Sequence, residues 1–182
     1  MSIVKELVSQ RGGSISAESQ PGEGTAFTVQ LPFLLDKNAA AKPQPKPTDN
    51  GRLDGMHILL VEDNDINMEV AEFQLTSQGA AVDKAWNGRE AVERFAASAP
   101  GGYQAILMDV MMPVMDGFEA SRAIRALDRP DAATVPILAM TAQASDECAQ
   151  SCHRVGMNGR LVKPLDAKKL AKSIREAVQN QQ

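Results

Sequence analysis

The sequence predicts an α/β fold: a doubly wound, five-stranded parallel sheet, preceded by a small helix and β-hairpin. Three observations predict it. Between residues 56 and 179, short apolar runs alternate with stretches of helical length, as in a sheet covered by helices on both faces. Gly, Asn, Ser and Asp punctuate the changes of period as helix caps and stops. Four of the apolar runs also end in a polar residue, and an open parallel sheet gathers such strand ends at one edge.

The elements follow in order. Residues 1–35 stand apart. Ile3, Val4, Leu7 and Val8 form a short amphipathic stripe that Gly12-Gly13 stops. Strands are expected over 15–19 and 25–31, where Phe27, Val29 and Leu31 alternate with Ala26, Thr28 and Gln30. Gln20 to Gly24 carries turn chemistry. Gly22 and Gly24 therefore read as a hairpin turn rather than a phosphate loop. Residues 36–55 include Lys42-Pro43-Gln44-Pro45-Lys46-Pro47, whose alternating prolines mark a semi-rigid linker.

Residues 56–182 hold the alternating repeat. A strand at 56–61 leads to a helix from Asp65 to about Gln78, stopped by Gly79. A strand at 81–85 precedes a helix opened by Asn87, with Glu90 completing a capping box. A strand at 104–108 is followed by a helix that Asp116 and Glu119 cap and that runs to about Leu127. Next come a strand at 135–140, a helix from Ser145 to about Gly156 and a strand at 159–162. Asp166 caps the last helix, with Leu170, Ile174 and Val178 on one stripe.

The 182 residues carry a net charge of −4, which gives no reason to expect a nucleic-acid partner. No run of about 18 apolar residues is present, and no secretory leader opens the chain. The expected location is cytoplasmic, with any membrane anchor left to a larger parent protein. Cys148 and Cys152 are the only cysteines. They make no disulfide framework, and a reducing compartment is the simpler reading.

At the shared strand edge stand Glu62 and Asp63, Asp109, Thr141 and Lys163. Three carboxylates, a hydroxyl and an ammonium suggest a metal-assisted phosphoryl site, because phosphoryl transfer rests on positioning and charge neutralisation. Each residue alone has a plainer reading, as a helix cap or a solvated loop residue. That plainer reading must be invoked separately at four strand ends; the site reading covers all four at once.

Several stretches resemble the receiver domain of two-component signalling: Ile58-Leu59-Leu60-Val61-Glu62-Asp63-Asn64, Met108-Asp109-Val110-Met111-Met112-Pro113-Val114-Met115-Asp116-Gly117-Phe118-Glu119, Pro136-Ile137-Leu138-Ala139-Met140-Thr141-Ala142, Gly156-Met157 and Lys163-Pro164-Leu165. The resemblance implies a flavodoxin-like strand order, 2-1-3-4-5. The stretch from Ile3 through Gly12-Gly13 to Gly24-Thr25-Ala26-Phe27 and Leu31-Pro32 is similar to the tail of a histidine-kinase ATPase domain. The asparagine box and main nucleotide loops of that family have no counterpart in it, so this segment is not expected to bind ATP. The whole is similar to the C-terminal part of a hybrid sensor histidine kinase.

The resemblance implies roles residue by residue. Asp109 is the phosphoacceptor, forming an aspartyl phosphate. Thr141 and Lys163 bond phosphoryl oxygens. Mg2+, which favours a few carboxylates, water and phosphate, is held by Asp63 and Asp109, by Glu62 through water, and by the backbone carbonyl of Met111. The implied partners are a histidine kinase dimerisation domain, a histidine phosphotransfer protein, or both. Met111 cannot orient a hydrolytic water, whereas Gln143 could.

Two other functions are weighed. A receiver-like module could dock partners without phosphorylation; Arg160, where the family usually has Tyr, Phe or His, leaves room for this. An aspartate-nucleophile phosphatase of the haloacid-dehalogenase type needs a second Asp two residues after the nucleophile, where this chain has Met111. Cys148, Cys152 and His153 lack a second ligand pair at zinc spacing and read as a half-buried helix face. His57 reads as a strand-start neighbour, and Trp86 as a hydrophobic staple ahead of the Asn87 cap. Met108, Met111, Met112 and Met115 read as packing or partner surface.

Overall fold

The computed structural model describes residues 3–20, 24–32, 52–142 and 145–180. Most of the expected linker lies outside the described residues. The chain divides into two compact units, Met1–Lys46 and Pro47–Gln182. No helix among the described residues is long and apolar enough to cross a membrane.

The first unit contains α1 (Ile3–Gln10), β1 (Ser14–Gln20) and β2 (Gly24–Gln30). Gly12 takes a φ of 70°, and the Gly13 N–H returns to the Val8 carbonyl at 2.9 Å, so the helix stops at the glycine pair. The two strands pair antiparallel, with Gln20 opposite Gly24. Residues 21–23, where the turn is expected, lie outside the described residues. Leu31 falls just beyond β2.

The second unit contains β3 (His57–Val61), α2 (Asp65–Thr76), β4 (Ala81–Ala85), α3 (Gly88–Ala97), β5 (Ala105–Asp109), α4 (Gly117–Arg125), β6 (Ile137–Thr141), α5 (Asp146–Arg154), β7 (Gly159–Val162) and α6 (Ala167–Gln179). Its five strands are parallel, in the order β4-β3-β5-β6-β7. This is the expected 2-1-3-4-5 arrangement.

Alternate residues of each central strand point to opposite faces, and each face has its own core. Leu59, Val61, Ile106, Met108 and Ile137 pack with Phe95 and Ile124. Ile58, Leu60, Leu107 and Met140 pack with Met68, Leu75, Leu170 and Ile174. Burying one such side chain contributes ~1.5–3 kcal/mol. The runs Ile58–Val61, Ala105–Met108 and Ile137–Met140 of the three central strands are apolar because both faces are covered.

Local chemistry sets the ends of the elements. Asn64 caps α2 through the N–H groups of Ile66 and Asn67. Asp116 and Glu119 form the expected reciprocal box on α4. At α3 the box takes another form: Asn87 accepts from the Glu90 N–H, while the Glu90 carboxylate accepts from the Trp86 N–H and Asn87 Nδ2. Trp86 is not a buried staple. It remains 38% exposed, because the residue that a staple would meet on the first turn is only Ala91. The helix expected to reach Gln78 ends at Thr76, where the Gln78 side chain turns to the carbonyls of Gln74 and Ala167. β6 starts at Ile137 rather than 135; Pro136 offers a carbonyl to the Ile106 N–H but has no N–H to return.

Candidate functional site

β3 and β5 are neighbours, with Val61 opposite Met108. The next residues, Glu62 and Asp109, therefore leave the centre of the sheet side by side. Glu62 is 1% exposed and Asp109 6%, whereas Asp63 is exposed. Carboxylate oxygens of Glu62, Asp63 and Asp109 all lie within 4.8 Å of one another. They are hard oxygen donors of the type that magnesium takes, and among the described residues they form the one such acidic group.

The other strand ends close the site. Thr141 ends β6 and is 5% exposed, and the Cys148 thiol donates to its Oγ1 at 3.9 Å. The Lys163 N–H donates to the Thr141 carbonyl at 2.8 Å, which fixes the lysine beside it. Lys163 Nζ donates to Glu62 Oε2 and to Asp109 Oδ2, each at 2.6 Å. Burial alone would lower the pKa of this ammonium. Its hydrogen bonds and charge pairing with Asp109 and Glu62 outweigh that and hold it above the ordinary lysine value.

The loop after Asp109 is tightly shaped. The Met111 N–H donates to Asp109 Oδ1 at 3.3 Å, while the Met111 side chain is 79% exposed. Val114 has a φ of 70°, and the Met115 N–H reaches the Pro113 carbonyl at 2.8 Å. This is a γ-turn, a strained conformation for a β-branched residue. Gly117 then lets α4 close on the strand: a Cβ there would lie 2.2 Å from the Asp109 carbonyl oxygen. Of the four methionines, Met108 is fully buried, Met112 buried, Met115 half-buried and Met111 exposed.

The five residues read from the strand ends thus come together: Glu62, Asp63, Asp109, Thr141 and Lys163. Sequence reasoning missed Asn67, whose Nδ2 donates to Glu62 Oε1 at 2.9 Å. The available signal was an Asn at the third position of α2, where a side chain reaches back past the helix start. Arg160 lies on β7 and is half-buried; its Nη1 donates to the Ser145 carbonyl at 2.5 Å. On α5, Cys152 is buried, Cys148 half-buried and His153 exposed. His57 lies away from the carboxylate group, with Nε2 3.3 Å from Asp83 Oδ2 and its ring against Tyr103. Gln143 lies outside the described residues.

A profile of the response regulator receiver domain matches residues 58–175. The chain belongs to the receiver domain family. Among solved receivers, the chain is similar to the receiver domain of sensor histidine kinase PA1611 from Pseudomonas aeruginosa. The two share 38% identity over 69% of this chain and 98% of that one, with a TM-score of 0.62. That structure has a magnesium ion coordinated in its active-site cleft. The chemotaxis protein CheY4 of Vibrio cholerae is similar at 32% identity and a TM-score of 0.62, over 67% of this chain and 98% of that one.

Two longer relatives extend the likeness. The aerobic respiration control sensor protein ArcB of Escherichia coli is 31% identical over 179 residues, covering 97% of this chain and 22% of that protein. The sensor protein EvgS of Escherichia coli is 32% identical over 163 residues, covering 90% and 13%. The receiver chain thus spans 22% or less of these relatives' lengths.

Proposed function

We propose that this receiver is the phosphoacceptor of a two-component phosphorelay. Asp109 takes a phosphoryl group from a phosphohistidine and passes it to a histidine phosphotransfer partner. The observation that carries the reading is the setting of Asp109: buried at the end of β5, beside Glu62 and Asp63, with Lys163 at 2.6 Å. In the reaction an Asp109 oxygen bonds to phosphorus as the phosphorus–nitrogen bond to the donor imidazole breaks. Thr141 and Lys163 bond phosphoryl oxygens. Asp63 and Asp109, the Met111 carbonyl, and Glu62 through water would hold Mg2+. The bound ion supplies positive charge against the carboxylates and the phosphoryl oxygens.

The surface of α2 supports a protein as donor and acceptor. Ile66 is 72% exposed, Val70 50% and Phe73 72%, at i, i+4 and i+7 on one face. Val70 also lines a hollow of about 220 Å3 that Glu62, Lys163 and Leu165 share. Apolar side chains scattered singly on a surface need no explanation, but three on one face beside a reactive group suit an interaction site. Asp65 and Glu69 on the same helix favour a partner with a basic rim.

We place this receiver, residues 56–182, in a larger hybrid sensor histidine kinase working in the cytoplasm. Residues 1–35 belong to the end of its ATPase domain and residues 36–55 are the linker. The test is incubation with magnesium and acetyl phosphate, followed by intact-mass measurement. Wild-type chain should gain one phosphoryl group and Asp109→Asn none. Undiminished labelling of the variant would overturn the assignment. Absence of labelling in the wild type would favour a receiver that docks without phosphorylation.

A further inference from the structure

We infer that Asn67 is a positioning residue for phosphoryl transfer: it holds the Glu62 carboxylate in place when Lys163 turns to the phosphoryl group. The inference rests on the reading of Asp109 as phosphoacceptor.

Glu62 is 1% exposed, and a buried carboxylate needs donors in place of water. It has one on each oxygen. Asn67 Nδ2 donates to Oε1 at 2.9 Å, and Lys163 Nζ donates to Oε2 at 2.6 Å. The two donors differ in what else they serve. Lys163 is shared with Asp109 Oδ2 at 2.6 Å. Phosphorylation of Asp109 to an acyl phosphate removes the carboxylate charge that this bond uses and brings up phosphoryl oxygens, which are stronger acceptors for an ammonium. Movement of Nζ toward them weakens its hold on Glu62.

Asn67 has no such competing demand. It sits at the third position of α2, and its own N–H is held by Asn64 Oδ1 at 3.1 Å. In an ordinary capping box the side chain at this position returns to the N–H of the capping residue. Here it reaches further back, to the Glu62 side chain. Its amide is neutral and tied to a rigid helix, so its bond to Oε1 does not depend on the phosphorylation state. It leaves Oε2 directed into the site, where it can accept from water on a bound cation. Residues that orient carboxylates near a metal in this way typically change metal affinity or activity by about 10–100-fold when removed.

The full chain with Asn67→Leu, which keeps the bulk and loses the donor, tests this alongside Asn67→Gln, which keeps the donor. The readouts are magnesium affinity with and without beryllofluoride, an acyl-phosphate mimic, and the NMR signals of the Asn67 side-chain amide. Asn67→Leu should weaken magnesium binding in the beryllofluoride state by about tenfold or more. Magnesium binding without beryllofluoride, where Lys163 still holds Glu62, should weaken less. Asn67→Gln should recover part of the loss. In the wild type the Asn67 amide signals should keep their hydrogen-bonded positions when beryllofluoride is added.

Equal weakening in both states, or release of the amide on adding beryllofluoride, would overturn the inference. The amide measurement stands even if Asn67→Leu does not fold. If Asp109→Asn still binds beryllofluoride, the phosphoacceptor reading itself fails. If it does not, and Asn67→Leu binds like the wild type, only the role of Asn67 fails.

Discussion

Lys163 Nζ lies 2.6 Å from Asp109 Oδ2, so the residue proposed to accept the phosphoryl group is already held by the cation proposed to stabilise it. Lys163 also holds Glu62. A single ammonium therefore compensates two carboxylates that are almost wholly buried. A divalent cation would act on the same two residues, so lysine and metal compete for one pool of negative charge.

Lys163→Ala should therefore lower stability and sharpen the response to magnesium. Removing one partner of a buried ion pair costs ~3–5 kcal/mol. The Lys163 side chain is 20% exposed, so a loss of about 3 kcal/mol, at the low end of that range, is expected. Added magnesium should restore more stability to the variant than it adds to the wild type, since ligand binding to the folded state stabilises by mass action. Urea unfolding with chelator and with magnesium checks both parts. An equal gain in the two proteins would show that lysine and metal do not compete.

Arg125 should prove as important to the fold as any core residue. Its guanidinium donates to the carbonyls of Ala132, Val135 and Gly156 and to Asn158 Oδ1, which ties the end of α4 to the segments flanking β6 and β7. Burial pushes its pKa below the ordinary arginine value. Lysine offers one point of charge and cannot span this planar fork. Arg125→Lys should cost about 2 kcal/mol, two or more hydrogen bonds at about 1 kcal/mol each. The urea midpoint should fall with an unchanged slope; an unchanged midpoint would mean that water replaces the bonds without loss.

Arg125 also shows where the sequence stops being informative. Most of its acceptors are backbone carbonyls of loops 7 to 31 residues away, and a carbonyl leaves no mark on residue identity. The bond from Arg129 to the Ser98 carbonyl is invisible for the same reason. Glu62, Asp63, Asp109 and Thr141 were legible because strands buried on both faces must be apolar, so the polar residue that ends each one stands out; Lys163 was legible from the short apolar pair Leu161-Val162 before it. Asn67 was not, because its partner Glu62 lies across the start of a helix. Trp86 was misread because a staple depends on the size of the residue it meets, and that residue is alanine.

Tyr103 should make the domain sensitive to alkali. Its hydroxyl donates to Asp83 Oδ2 at 2.6 Å and the residue is 7% exposed. Burial first, and the bond to Asp83 second, push the phenol from 10.0 up to about 12. The unfolded chain loses this proton near pH 10, whereas the folded chain keeps it to about pH 12. The stability it contributes is therefore fully present below pH 10 and is lost as pH rises from 10 to about 12. The loss should be on the order of 2 kcal/mol, and absent from Tyr103→Phe. Unfolding at a series of alkaline pH values checks it, and the single tyrosine of the chain makes its absorbance titration unambiguous. A phenol titrating near pH 10 in the folded protein would refute the assignment.

Arg160 bears on what phosphorylation does to the rest of the molecule. It lies opposite Ala139 on β7, three residues before Lys163, and its guanidinium holds the Ser145 carbonyl at the start of α5. In receivers with an aromatic residue at this position, the threonine moves toward the phosphoryl group and the ring fills the space it leaves. A guanidinium cannot enter an apolar slot without losing its hydration, and an unpaired buried charge is costly. Its bond to Ser145 also gives it a reason to stay where it is. Beryllofluoride should therefore shift the amide signals of the loops around Asp109, Thr141 and Lys163 and leave α5 largely unchanged. Arg160→Tyr, which supplies the ring, should carry the shifts into α5. A module whose output is the phosphoryl group itself needs no such change of shape, whereas one that signals through a neighbouring surface must populate a second conformation. Large shifts running through Arg160 and α5 in the wild type would overturn this account and assign the chain a conformational output.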